Sequence, residues 1–141
     1  MMFVHPLLQF TALVLALYTL FLGYKRFAAT QLGKKGPFAW KRHVLLGTLG
    51  MAIWLPGLGL GLLMAYWQWN IVFITGPHYQ VALAMVPFIL FGYFSGLVMD
   101  RKKAKRKVLP LLHGANNLLL AVLALVELGT GLMVIREFIL P

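Results

Sequence analysis

The sequence predicts an all-α integral membrane protein folded as an up-down four-helix bundle, and three observations carry that prediction. Four apolar stretches, at residues 7–24, 44–64, 81–99 and 108–135, each have roughly the 20 residues a helix needs to cross about 30 Å of hydrocarbon. None contains Lys or Arg, and Glu127 is the only acid inside any of them. The chain of 141 residues is 61% hydrophobic and 11% charged, whereas soluble domains carry about a quarter charged residues. Third, twelve of its thirteen basic residues fall in two of the three connections between spans.

These features exclude a soluble domain. Despite a pI near 10.3 they also exclude a disordered nucleic-acid-binding arm, because a chain with mean hydropathy +0.84 does not stay solvated. Cysteine is absent, which removes disulfides, iron–sulfur clusters, thiolate zinc sites and covalently attached haem.

The first span follows Met1-Met2-Phe3-Val4, which has no basic n-region, so it is expected to be retained rather than cleaved as a signal peptide. After it come Lys25, Arg26, Lys34, Lys35, Lys41 and Arg42. The second span contains Pro56, the expected site of a kink. The connection at 65–76 holds Tyr66, Trp67 and Trp69 without a charge, the composition of an interfacial segment. Pro77 and Pro110 stand where the third and fourth helices would begin, a position that tolerates a missing N–H. Arg101, Lys102, Lys103, Lys105, Arg106 and Lys107 separate those two spans. By the positive-inside rule both basic connections are cytoplasmic and both termini face outward, in a bacterial plasma membrane or a thylakoid-type membrane. Anchoring to anionic lipid accounts for the basic clusters without any partner protein. The whole chain, 1–141, is then a single transmembrane domain.

His5, His43, His78 and His113 are the only histidines, and each opens a different span. In an up-down bundle His5 and His78 meet at the outer end, and His43 and His113 at the cytoplasmic end. A mononuclear zinc or copper site needs three or four converging ligands, and here no more than two converge. Two imidazoles facing each other across a bundle suit a haem, whose porphyrin supplies four further nitrogens. Two pairs imply two non-covalent b-type haems.

An internal repeat accompanies the histidines. Eighteen residues after each of them comes a glycine: Gly23, Gly61, Gly96 and Gly131. Eighteen residues are five turns, hence the same helix face about 27 Å further along. Each helix would offer a ligand to one haem and a surface without side chains beside the other. Fourteen residues after each histidine stand Thr19, Gly57, Gly92 and Glu127. Generic small-residue packing explains the same glycines, and Gly92 to Gly96 is itself a G-x-x-x-G contact motif.

Gln9, Asn116 and Asn117 fall one turn deeper than His5 and His113, within reach of a haem edge, a quinone or another helix. Lys41, Arg42 and Lys107 lie near enough to His43 and His113 to pair with haem propionates. Glu127 is an acid within an apolar span, which is costly and usually directed inward. It is a candidate proton acceptor in quinol oxidation, or a partner for the ring N–H of an outer histidine; a neutral, hydrogen-bonded acid is the plain alternative.

Taken together, His5-Pro6, Arg42-His43 with Gly47, His78, His113-Gly114 with Asn117, and Thr130-Gly131 resemble the cytochrome b561 superfamily, in its small four-helix bacterial form. The resemblance covers nearly the whole chain, and its local motifs are short. It implies two haems b held by these four histidines and transmembrane electron transfer. The ascorbate-reducing members have six helices, so their activity is not implied for four.

The expected function is an electron conduit whose partners are a quinone, a peripheral cytochrome or another subunit of a larger complex. A haem-free structural anchor or assembly subunit is the alternative. A small proton or ion translocator is a third, against which the apolar interior with one acid argues.

Overall fold

The computed structural model describes residues 3–140. Among them are four long α-helices and no strand: α1 (Val4–Gln31), α2 (Trp40–Trp69), α3 (Pro77–Arg101) and α4 (Val108–Val134), with a single π-helical turn, Ile135–Ile139, extending α4. All four are long and apolar enough to cross a membrane.

The first three helices overrun their apolar stretches. Lys25 and Arg26 ride on the last turns of α1, Lys41 and Arg42 open α2, and Tyr66, Trp67 and Trp69 close α2 instead of sitting in a loop. Apolarity marks the edge of hydrocarbon, whereas a helix ends only where its backbone bonds find no continuation, and Ala, Lys and Arg are good helix formers. The stops are local. Asn70 takes a left-handed conformation, φ 54°, while its N–H closes on the Tyr66 carbonyl. Gly76, at φ 54° and ψ −124°, makes a bend open to glycine alone, and Pro77 follows at the first position of α3. The second span stays helical across Pro56, and the third across Pro87.

Two helical hairpins build the bundle. Antiparallel α1 and α2 pack along each other, as do α3 and α4; α1 also touches α4 and α2 touches α3, which leaves α1/α3 and α2/α4 as the diagonals of the ring. Gly50 and Gly57 are buried in the first hairpin and Gly92 in the second. A layer contributed by every helix fills the middle: Ala12, Leu13, Trp54, Met85, Ile89, Leu120 and Ala124. The outward faces carry Leu7, Phe10, Phe94, Leu118, Val122 and Leu132, all exposed. No more than 22% of the most apolar window of any helix is buried, so the outer surface is hydrocarbon-like all round, as lipid requires.

The ends differ in chemistry. At one end the connections 32–39 and 102–107 and the helix turns flanking them gather the basic residues, where Lys103 sits 3.7 Å over the Trp40 ring and 3.0 Å from Asp100. At the other, Trp69 meets Phe138 edge to face and Phe73 lies tilted against Tyr79. We refer to these as the basic end and the aromatic end.

Candidate functional site

The four histidines form two pairs, one at each end, and each pair spans a diagonal of the bundle. His5 of α1 faces His78 of α3 at the aromatic end, with ring centroids 6.2 Å apart and planes at 85°. His43 of α2 faces His113 of α4 at the basic end, at 6.3 Å and 70°. Because diagonal helices do not touch, these rings reach into the space between the two hairpins.

Each ring is oriented by its own hairpin partner, according to one rule. Counting from the histidine on the partner helix, the carbonyl fourteen residues on accepts the ring's hydrogen bond, and the glycine eighteen residues on gives the ring its seat. His5 Nδ1–H donates to Gly57 O at 2.8 Å, and His43 Nδ1–H donates to Thr19 O at 3.0 Å. In the second hairpin a hydroxyl is interposed. Ser95 Oγ donates to the carbonyls of Phe91 and Gly92 and so accepts from His113 Nδ1–H at 2.8 Å. Thr130 Oγ1 donates to Glu127 O at 3.1 Å and accepts from His78 Nδ1–H at the same distance.

The seats are the glycines of the repeat. A Cβ on Gly61 would stand 2.7 Å from His5 Cε1; on Gly131, 3.1 Å from His78 Cε1; on Gly23, 3.2 Å from His43 Cε1; and on Gly96, 3.3 Å from His113 Cε1. What occupies the space over each glycine is therefore an imidazole. The spacing also has a local cause: acceptor and glycine are four residues apart, one helical turn, so the missing Cβ uncovers the carbonyl below it. A carbonyl oxygen has two lone pairs and can accept the ring N–H in addition to its own helical bond.

Engaging Nδ1–H with an acceptor fixes the tautomer and leaves the lone pair on Nε2, the form in which histidine binds a metal. Among the described residues no hydrogen bond engages any of the four Nε2 atoms. Two imidazoles on one ion, with metal–nitrogen bonds of about 2.0 Å and ring radii of about 1.1 Å, would have centroids about 6.2 Å apart. Both pairs have that span. No group of three or more His, Asp or Glu able to hold a metal occurs among the described residues. Each pair could thus offer two ligands to one ion, and any further donors would have to come from outside the described residues.

At the aromatic end a cavity of about 320 Å³ is lined by His5, His78, Gly61, Gly131, Gln9 and Glu127 among others. Gln9 Nε2 donates weakly to Trp54 O, at 3.4 Å, and its amide lies against Gly57. Glu127 places Oε1 3.0 Å from His78 Nδ1 and Oε2 3.4 Å from Thr130 Oγ1. At the basic end Asn117 Nδ2 donates to the carbonyl of His113 at 2.7 Å, and Asn116 Nδ2 to Phe88 O at 3.0 Å; both amides lie against Gly92. The Asn116 bond ties α4 to α3, whereas the Asn117 bond stays within α4. Arg42 Nη1 contacts Tyr18 Oη at 3.4 Å, Lys41 lines a shallow outer groove with Trp40 and Asp100, and Lys107 immediately precedes α4 without a capping bond from its side chain. Thr19 Oγ1, beside the carbonyl that holds His43, is buried with no hydrogen-bond partner among the described residues.

Ser95 is the residue of this arrangement that sequence reading missed. The signal was present: Ser95-Gly96 stands in α3 as Thr130-Gly131 does in α4, a hydroxyl immediately before the seat glycine. No protein-family model, curated protein or solved structure matches the chain.

Proposed function

We propose that this chain is a di-haem b-type membrane cytochrome, similar to the small four-helix members of the cytochrome b561 superfamily, that carries electrons between the two faces of a membrane. The observation that supports this best is the set of four imidazoles with Nδ1 engaged and no hydrogen bond to Nε2 among the described residues, in two pairs with the span of two ligands on one metal. A porphyrin brings the four nitrogens the protein lacks, which reconciles two-ligand sites with the absence of any larger donor cluster among the described residues.

On this reading His5 and His78 hold one haem, and His43 and His113 the other. Bound haem supplies a one-electron store at each end. The chain's own residues fix the ligand rings through the partner-helix carbonyls, keep Gly23, Gly61, Gly96 and Gly131 clear for them, and exclude water from the middle with Trp54, Ile89 and Leu120. Lys41, Arg42 and Lys107 provide cationic charge for propionates at the basic end. The basic end faces the cytoplasm and the aromatic end faces outward, in a bacterial plasma membrane or a thylakoid-type membrane. A quinone, a cytochrome or another subunit exchanges the electrons; with a quinol at the aromatic end, Glu127 is the group placed to accept its proton.

The test is a reduced-minus-oxidised visible spectrum of the detergent-purified protein, with extractable haem counted per chain. Two haems b per chain are expected. His5→Ala and His78→Ala should each remove the same one, and His43→Ala and His113→Ala the other. A colourless protein from haem-replete cells would replace this reading with that of a structural anchor.

A further inference from the structure

One side chain breaks the fourfold regularity of the site. The position fourteen residues after each histidine presents a carbonyl, directly or through a hydroxyl, to the histidine on the other helix of its hairpin, and its own side chain is otherwise small or absent: Thr19, Gly57 and Gly92. At the fourth such position stands Glu127. Its carboxyl oxygen lies 3.0 Å from His78 Nδ1, in addition to the Thr130 hydroxyl that follows the common rule. Thr130 also reaches the other carboxyl oxygen, at 3.4 Å, which fixes the group beside the ring. The remaining three rings have only neutral oxygens at Nδ1, two carbonyls and one serine hydroxyl. Removing this carboxyl would not unseat His78, since Thr130 and Gly131 already hold it. Its presence therefore needs another reason.

We propose that Glu127 is a positioning residue that makes the two centres unequal, by drawing on the N–H of His78 and so lowering the electron affinity of the His5–His78 centre below that of the His43–His113 centre. A carboxyl oxygen beside the ring N–H raises the basicity of Nε2, and a more basic axial ligand favours the oxidised metal over the reduced one. The proposal rests on the di-haem reading and deepens it: a single electron shared by the two centres resides mainly at the basic end. Energetically downhill transfer through the molecule then runs from the aromatic end to the basic end.

The experiment is a potentiometric titration of the purified wild-type protein and of Glu127→Gln, which keeps size and hydrogen bonding but removes the ionisable carboxyl. Two components are expected in the wild type, and the one missing from His78→Ala should be the harder to reduce. In Glu127→Gln that component should become easier to reduce by roughly tenfold in the ratio of reduced to oxidised form, which for one electron is about 59 mV. The other component should stay in place. Ser95→Ala, which alters a neutral partner, should leave the aromatic-end component unmoved.

A Glu127→Gln protein that binds both haems with neither component shifted, or with only the basic-end component shifted, overturns the assignment while leaving the di-haem reading intact. So does a wild-type protein in which the component lost with His78 is the easier to reduce, a comparison that needs no Glu127 variant to assemble. A wild type without haem fails earlier, at the function itself.

Discussion

The two hairpins perform the same task with different materials. In α1–α2 both histidines donate straight to backbone carbonyls, Gly57 O and Thr19 O. In α3–α4 the same carbonyl positions are reached through the hydroxyls of Ser95 and Thr130, with Glu127 added beside one of them. A backbone acceptor persists through any substitution that leaves the helix intact, so the first hairpin depends on what is absent from its surface, namely side chains at Gly23 and Gly61. The second depends on particular side chains and can be tuned by changing them. Rigidity of ligand placement thus resides in one half, and adjustability in the other.

The sharpest way to break this comparison is to fill a seat in the first hairpin. Gly61→Val puts branched carbon where even a Cβ would lie 2.7 Å from the His5 ring, so the ring must leave. Overpacking of this kind typically costs about 1–3 kcal/mol. On the proposed di-haem reading, haem per chain should fall from two to one, with His43–His113 retained, whereas Gly96→Ala, whose Cβ would meet His113 at 3.3 Å, should keep both. Equal losses from the two variants would mean that the glycines act through general helix packing.

A smaller effect is expected from Ser95→Ala. It strips His113 Nδ1–H of its acceptor and leaves a part-buried donor unmet, at a cost of roughly 1–3 kcal/mol. Thermal unfolding followed by circular dichroism should show the loss, together with faster release on dilution of the haem proposed for the basic end. Unchanged stability would show that His113 finds another acceptor and that the second hairpin is no more vulnerable than the first.

The smallest effect is assigned to Thr19→Val. The Thr19 hydroxyl is buried without a partner among the described residues, while the part that holds His43 is the backbone carbonyl. Replacing the hydroxyl with a methyl should change stability by less than about 1 kcal/mol, in either direction, and leave the spectrum as it was. A spectral change at the basic end would reveal that the hydroxyl touches the bound group.

The same contrast explains what was legible in the sequence. Four spans, their order and the pairing of histidines at opposite ends follow from apolar length and from where His5, His43, His78 and His113 fall, because hydrocarbon thickness leaves few alternatives. Helix ends were less visible: Lys25, Arg42 and Trp69 are helical although their polarity or aromaticity suggested loops. The seat glycines stood out as a repeat, yet what lies on them did not, since nothing in an eighteen-residue spacing says whether a cofactor or the ligand's own ring fills the gap. Backbone acceptors such as Gly57 O leave no trace in composition. Ser95 did leave one, but a lone serine in an apolar helix ordinarily bonds its own backbone, and Ser95 does that as well, to Phe91 O.

Every contact that orients a histidine lies within one hairpin, and each opposed pair draws one ring from each hairpin. The molecule is therefore a clamp whose jaws are made one after the other. During synthesis α1–α2 can set both of its rings before α3 exists, and α3–α4 can do the same without reference to the first pair. Neither jaw closes anything alone. Whatever ion-bearing group enters between them would rivet the halves at two levels, so filling the sites and fastening the chain to itself become a single event.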